Sequence, residues 1–245
     1  MIKRIAPEVE VIDITHGIPP LHVLQGALVL ANTVPYMPAG VHVAIVDPGV
    51  GGERKPLALR GDDGRVYVGP DNGLLLVAAE RLGGIAEAVE IAEAAYMLER
   101  VSHTFHGRDI FSPAAAHLAG GVELMKLGPA LDPAGLQRLE VPEPAVGEAR
   151  IRATVLYVDR FGNVQLNVNA EHLARVGIEP GSRVEVEVGF ERYFASAART
   201  FAEARTGDIV LYEDAYANIA LAINRGNAAQ MFSVRVGDEL RLTSR

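Results

Sequence analysis

The stretch Val43-Ala44-Ile45-Val46-Asp47-Pro48-Gly49-Val50-Gly51-Gly52-Glu53-Arg54-Lys55-Pro56 decides how the chain is read. Val43 to Val46 forms an apolar run that ends on the carboxylate of Asp47. Pro48, Gly49, Gly51 and Gly52 then turn the backbone before Glu53 and Arg54. An apolar strand that stops at an acid and turns sharply is how an open α/β sheet presents polar groups at its carboxyl edge, where ligands bind. The spacing brings Asp47 and Arg54 to the two sides of one turn. Taken alone, the same residues also describe a buried strand, a tight turn and a surface ion pair of little energetic weight.

Outward from this stretch, Val9 to Ile14 alternates and is rich in β-branched residues, which predicts a strand. Leu21 to Val34 carries Leu21, Leu24, Leu28 and Ala31 at helical spacing. Strand, helix and the Val41–Val46 strand make a βαβ unit and predict a mostly parallel sheet with flanking helices. Leu57–Arg60 and Val66–Val68 flank Gly61-Asp62-Asp63-Gly64, a hairpin signal. A loop, Gly69-Pro70-Asp71-Asn72-Gly73, opens a helix over Leu74–Arg81. A strand is expected over Ala86–Ile91 and a helix from about Ile110 to Ala119. Four prolines between Pro129 and Pro144 precede a change of character, and the boundary is placed near Gly147. Beyond it, Ile151–Val158, Val164–Val168, Arg183–Val188, Ile209–Tyr212, Ile219–Asn224 and Glu239–Thr243 are short strands at regular spacing, the pattern of a small β-sandwich or barrel. The fold expected is an α/β domain over residues 1–146 and a smaller β-barrel-like domain over 147–245.

The chain has 245 residues, is 49% hydrophobic and 22% charged, and carries a net charge of −8. That balance argues against a nucleic-acid partner, whose footprint would be basic. With no cysteine, disulfides, thiolate metal sites and cysteine nucleophiles are excluded. No apolar run reaches the roughly 18 residues of a membrane span. The start, MIKRIAPEVE, has no apolar signal-peptide core, so a cytoplasmic location is expected.

Individually the polar motifs have plain structural readings. Asp71 or Asn72 can cap a helix, Asp109 can complement a helix N-terminus, and Asn163 can serve a turn. His16 and His42 are isolated, although His16 follows an expected strand end. His103 and His106 have a metal-compatible spacing without the rest of a metal site. Taken together, Asp47, Asp71 and His106 each lie beside glycines at the end or start of an element. A carboxylate, a guanidinium and an imidazole in one cleft can hold a water and bias it toward hydroxide. In that arrangement Arg54 stabilises the anion, His106 is able to accept a proton and Asp47 orients the pair. No nucleophile elbow, Walker loop or dinucleotide fingerprint is present.

The segments VIDITH (Val11–His16), HVAIVDPGVGGER, GPDNGLL, HTFHGRD (His103–Asp109), DRFGNVQLN and the closing VRVGDELRL resemble the S-adenosyl-L-methionine hydroxide adenosyltransferase family, relatives of the fluorinases and chlorinases. Order and spacing agree along nearly the whole chain. The resemblance implies hydrolysis of S-adenosyl-L-methionine to adenosine and methionine, with no cofactor and no metal, in a homotrimer that binds the substrate between neighbouring subunits. It implies a water-activating trio of Asp47, Arg54 and His106, with Phe105 near the reacting carbon. It assigns Asp159 to the methionine ammonium, Asn163 to the adenine, and Asn227-Ala228 to further adenine contacts. His106-Gly107 is similar to the hydroxide-using branch, and the long insertion of fluorinases after Arg54 is absent. Relative to the family pattern, the chain begins inside the helix ending Ile5-Ala6-Pro7, without the TDFG segment whose aspartate binds the ribose diol. Ala215–Ala220 replaces the family's SxxYLE segment, so the methionine carboxylate contact does not transfer. The alternatives are a non-catalytic binder of adenosine or S-adenosylmethionine, a metal-dependent hydrolase built on His103, His106 and Asp109, and a halide-using halogenase.

Overall fold

The structure, a computed structural model, describes residues 1–245 and divides into two compact units, Met1–Glu140 and Val141–Arg245. The division falls ahead of Gly147 because Ala145 and Val146 form a short strand that pairs with Arg152 and Ile151.

The N-terminal unit is built on a four-stranded sheet. Its strands are β1 (Val41–Val43), β2 (Pro56–Gly61), β3 (Val66–Pro70) and β4 (Ile85–Glu90), in the order β1-β3-β2-β4. Only β1 and β3 run parallel; β2 is antiparallel to both β3 and β4. The expected mostly parallel sheet is therefore a mixed one. The reason is the four-residue turn Asp62–Arg65, which returns the chain at once and forces antiparallel pairing; a parallel neighbour requires a long crossover.

Alternation along the strands sorts side chains to two faces. Leu57, Leu59 and Tyr67 pack with Ala27 and Leu30 of helix α1 (Val23–Thr33) and with Leu74, Leu75 and Ala78 of α2 (Leu74–Arg81). Ala58, Val66, Val68 and Val89 face the other way, onto Phe111 and onto Ala114, Ala115 and Leu118 of a helix over Ser112–Ala119. That helix is preceded by a π-helical turn, Gly107–Phe111. Gly69 lets β1 approach closely, since a Cβ there would collide with the Ala44 carbonyl oxygen.

The Val9–Ile14 stretch is not a strand, and the predicted βαβ unit is not formed. No sheet edge pairs with it, and Val11, Ile12 and Ile14 remain exposed. Alternation describes a half-buried surface, and without a partner strand it has no structural consequence. The strand at the head of the deciding stretch is likewise an edge strand rather than a buried one, with Val43 and Ile45 exposed. Its hydrogen bonding to β3 extends through Ala44 N to Val68 O, 3.1 Å.

The C-terminal unit is a closed barrel of seven strands, β6 (Arg150–Val158), β7 (Val164–Leu166), β8 (Arg183–Val188), β9 (Glu191–Ala197), β10 (Ile209–Glu213), β11 (Ile219–Ile223) and β12 (Glu239–Ser244), with the short β5 (Ala145–Val146) added beside β6. The order β12-β8-β9-β10-β11-β7-β6 closes through pairing of β12 with β6. Closure removes free strand edges. Ile151, Ala153, Val155, Leu166, Val184, Val186, Leu221 and Leu242 fill the interior. Two short helices absent from the sequence reading, Ala170–Arg175 and Ala228–Phe232, accompany the barrel. Asn169 and Asn227 cap them through side-chain oxygens. No helix is long and apolar enough to cross a membrane.

Candidate functional site

In the N-terminal unit the structure brings Asp47, Arg54 and His106 together. Asp47 follows the end of β1, and Gly49, Gly51 and Gly52 fold the chain back so that Arg54 meets it. Arg54 Nε donates to Asp47 Oδ1 at 2.9 Å and to Oδ2 at 3.1 Å, and Nη2 donates to Oδ2. The fork matches the carboxylate geometry. The two side chains are only 10% and 7% exposed, which separates the pair from an ordinary surface ion pair. Arg54 Nη2 also lies 2.8 Å from His106 Nδ1, and the guanidinium sits over the buried Phe111 ring, 5.2 Å from its centroid.

A guanidinium can only donate, so Nδ1 of His106 accepts and the neutral ring carries its proton on Nε2. Burial pushes the His106 pKa below its ordinary 6.5, and Arg54 pushes it further; Asp47, the Ser102 backbone and Asp109 oppose this. The imidazole is held in its neutral form at neutral pH. Arg54 Nη1 makes no hydrogen bond within the protein and is not among the buried atoms left without a partner, so one corner of the guanidinium stays open.

Two loops make this geometry, and they touch. Gly51 has φ +76°, a left-handed conformation, and a Cβ there would collide with the His103 carbonyl oxygen. The loop carrying His106 starts at Ser102, whose Oγ accepts from Phe105 N at 2.9 Å. Phe105 is exposed, with the Arg108 guanidinium over its ring at 4.8 Å. A cleft of about 400 Å³ is lined by Thr15, His16, Ile18, Leu21, Val46, Asp47 and neighbouring prolines. His16 thus lines the cleft that ends on Asp47. Leu21 adopts φ +70° there, strained for a non-glycine residue.

The other polar candidates take structural places. Asp71 is buried and accepts from Gln137 N at 3.0 Å; burial raises its pKa, and that hydrogen bond opposes the shift. Asn72 Nδ2 donates to Val46 O at 2.8 Å, which fixes the strand end that presents Asp47. His42 is buried against Tyr67. His103 is exposed, and the Asp109 carboxylate is turned onto Ser102 N and Arg108. No group of three or more metal-ligating side chains is gathered anywhere, which leaves the His103–His106–Asp109 metal reading without a site.

In the C-terminal unit the turn joining β6 to β7 gathers the other predicted residues. Asp159 Oδ1 accepts from Phe161 N at 2.8 Å and Asn163 N at 2.9 Å, and Oδ2 accepts from Asn163 Nδ2 at 2.7 Å. Gly162 has φ +82°, and a Cβ would strike the Asn227 side chain. Gly162 O accepts from Ala229 N at 2.9 Å. Asp159, Asn163, Asn227 and the buried Ala228 therefore form one cluster. Phe161, 63% exposed on the same turn, and Phe111 beneath Arg54 are members that the sequence reading did not single out. Phe161 sits inside the quoted DRFGN motif, whereas Phe111 reads only as an apolar helix residue.

Residues 1–128 match the family model described as SAM hydroxide adenosyltransferase N-terminal domain, and 153–241 match the C-terminal domain of the same family. A protein of Salinispora tropica named "(R)-S-adenosyl-L-methionine hydrolase" is 46% identical over 244 residues, covering 100% of this chain and 90% of that one. A fluorinase of Actinopolyspora mzabensis is 26% identical over 99% of this chain and 90% of its own. Among solved structures, an uncharacterized conserved protein from Thermotoga maritima superposes with a TM-score of 0.91 at 36% identity, over 99% of this chain and 92% of that chain. With both family domains matched in order, the first of them spanning the Asp47–Arg54–His106 cluster, the chain belongs to the S-adenosyl-L-methionine hydroxide adenosyltransferase family.

Proposed function

We propose that this protein hydrolyses S-adenosyl-L-methionine to adenosine and L-methionine. The observation that carries the reading is the buried guanidinium of Arg54. It is locked by Asp47 on one side and His106 on another, with Nη1 left open. The names of the full-length relatives point to the same substrate.

In the reaction, the oxygen of a water attacks ribose C5′ in line with the C5′–S bond. The bonding pair of that bond leaves with sulfur, which turns the sulfonium into neutral methionine thioether, and the attacking water gives up its proton to bulk solvent. The leaving group is already activated, so no acid is required there. The demand falls on the nucleophile. Arg54 Nη1 stabilises the developing hydroxide charge, and a preorganised donor in a partly dry cleft is worth more than one in water. Asp47 fixes the plane of the guanidinium. His106 acts as an orienter in this arrangement, because its one free lone pair, on Nδ1, already faces Arg54. Phe105 walls the reacting carbon. Asp159 receives the methionine ammonium on the free face of its carboxylate, while Asn163 and Asn227-Ala228 read the adenine. The substrate is the only small molecule required; the assembly is a homotrimer and the location cytoplasmic.

Adenosine release from S-adenosyl-L-methionine, followed chromatographically for the native protein, Arg54→Ala and His106→Ala, tests the proposal. Loss of release in Arg54→Ala and a large reduction in His106→Ala are expected. Equal rates for all three, or binding by calorimetry without turnover in the native protein, would overturn it. Halide-dependent formation of a 5′-halo-adenosine would move the chain to the halogenase reading.

A further inference from the structure

Among the buried polar residues, Asp109 stands apart at 0% exposed, and it touches none of Asp47, Arg54 and His106 through a hydrogen bond of its own. Its carboxylate faces the loop that carries His106. Oδ2 accepts from Ser102 N at 2.8 Å, and Oδ1 accepts from Arg108 Nε at 2.5 Å, with Arg108 Nη2 at 3.1 Å from Oδ2. Its backbone ties two further points: Asp109 N donates to Phe105 O at 3.2 Å, and Asp109 O accepts from Leu98 N at 2.9 Å. One residue thus fastens positions 98, 102, 105 and 108.

The fastening is tighter than capping a helix start requires. Residues 107–111 form a π-helical turn, a rare geometry that needs local compensation. The side-chain bonds of Asp109, and its backbone bond to Phe105, end on residues of the candidate site or in contact with it. Ser102 Oγ accepts from Phe105 N, and the Ser102 backbone favours the charged form of the His106 ring. Arg108, held by Asp109, lies over Phe105. The Gly51 turn rests on the His103 carbonyl within the same loop.

We infer that Asp109 is a positioning residue: its buried carboxylate, through Ser102 and Arg108, sets the loop that holds His106 against Arg54 and Phe105 beside it. A buried carboxylate suits this role because its two oxygens satisfy donors from opposite ends of the loop at once, and an unpaired charge there has no alternative partner. The inference deepens the hydrolase reading but does not need turnover to be checked, since the contact between His106 and Arg54 has its own signature. The groups facing His106 are Arg54, Asp47 across it, Asp109 behind the turn, and the Ser102 backbone.

The experiment is an NMR titration of the imidazole Cε1–Hε1 signals. The chain has seven histidines, and the His106 signal is identified by its loss in His106→Asn. Native protein, Asp109→Asn and Asp109→Ala are compared, with folding checked by circular dichroism. The native His106 titrates below 6.5. Both variants lose the Asp109 charge, which by itself lowers the His106 titration; Asp109→Asn keeps an acceptor for Ser102 N and moves down, whereas Asp109→Ala also lets Arg54 and the ring separate and titrates higher than Asp109→Asn. In the adenosine-release assay, Asp109→Ala lowers kcat at least tenfold with KM changed less than threefold, and the acid limb of the kcat profile moves with the NMR value. If Asp109→Ala is unfolded, Asp109→Glu decides: it keeps the charge but displaces the carboxylate from Ser102 N, and the His106 titration is expected to move up toward 6.5, an unmoved value overturning the inference. A His106 titration no higher in folded Asp109→Ala than in Asp109→Asn overturns the inference, as does a loss of activity that only follows the folded fraction. If the native protein releases no adenosine, the hydrolase reading fails while the titration still judges Asp109.

Discussion

Replacing Asp47 with asparagine separates a buried ion pair from a surface one. In the native protein both Asp47 oxygens accept from Arg54, and the two side chains are 7% and 10% exposed. Asparagine keeps one acceptor and turns an amide NH₂ toward Arg54 Nη2, donor against donor, beside a guanidinium that has lost its counter-charge. Breaking one partner of a buried pair costs about 3–5 kcal/mol, whereas an exposed pair is worth about 0–1 kcal/mol. Arg54 keeps one edge near solvent, so about 3 kcal/mol is expected. At about 3–4 °C per kcal/mol for a unit of this size, the N-terminal transition falls by roughly 10 °C. The double variant Asp47→Asn/Arg54→Gln removes the stranded charge and is expected to be more stable than the two single losses added together. Thermal unfolding and urea denaturation give these values, and adenosine release gives the functional loss, about 100-fold for a misdirected guanidinium. A stability loss below 1 kcal/mol with additive singles would refute the reasoning and return the pair to a solvated turn contact.

Arg54→Lys keeps the charge but not the fork, and it cannot hold Asp47, His106 and a water in one plane; adenosine release is expected to drop by about 100-fold or more, as for loss of a donor to a developing anion. The acid limb of activity reports His106: its depressed pKa keeps the ring neutral above 6.5, and activity is lost as pH falls through the lower folded value, when a proton on Nδ1 meets Arg54 Nη2; a limb above 6.5 would contradict the assignment. Gly162→Ala forces a side chain into φ +82° and onto Asn227, so the barrel transition is expected to lose about 1–3 kcal/mol, with weakened S-adenosyl-L-methionine binding by calorimetry. Leu166→Ala opens the barrel interior, where Leu166 is fully buried; a loss of about 2–5 kcal/mol in denaturation, without effect on the pH profile, is expected.

Much of the fold is legible where the signal is local. The Gly61–Gly64 turn, the Leu74–Arg81 helix and the barrel strands Ile151–Val158 and Arg183–Val188 need only turn residues and periodicity, and they stand where the spacing places them. The π-helical turn at Gly107–Phe111 has no periodic signature, and the sequence continues as helix through it. Val9–Ile14 carries a strand pattern, yet pairing depends on an edge elsewhere in the chain, which no alternation encodes. The parallel sheet fails for a related reason: strand order is set by how short the connections are and by which faces need covering.

The candidate site divides in the same way. The chain itself determines that Asp47 and Arg54 share one turn, since four turn-forming residues within Pro48–Gly52 leave little other geometry. The motifs also determine the family. Only the tertiary structure decides that the pair is buried, that His106, 52 positions beyond Arg54, completes it through Nδ1, and that Phe111 lies underneath. Burial and long-range contact arise when separate elements pack on one sheet, and the electrostatic worth of a carboxylate and a guanidinium changes several-fold with how much water that packing leaves around them.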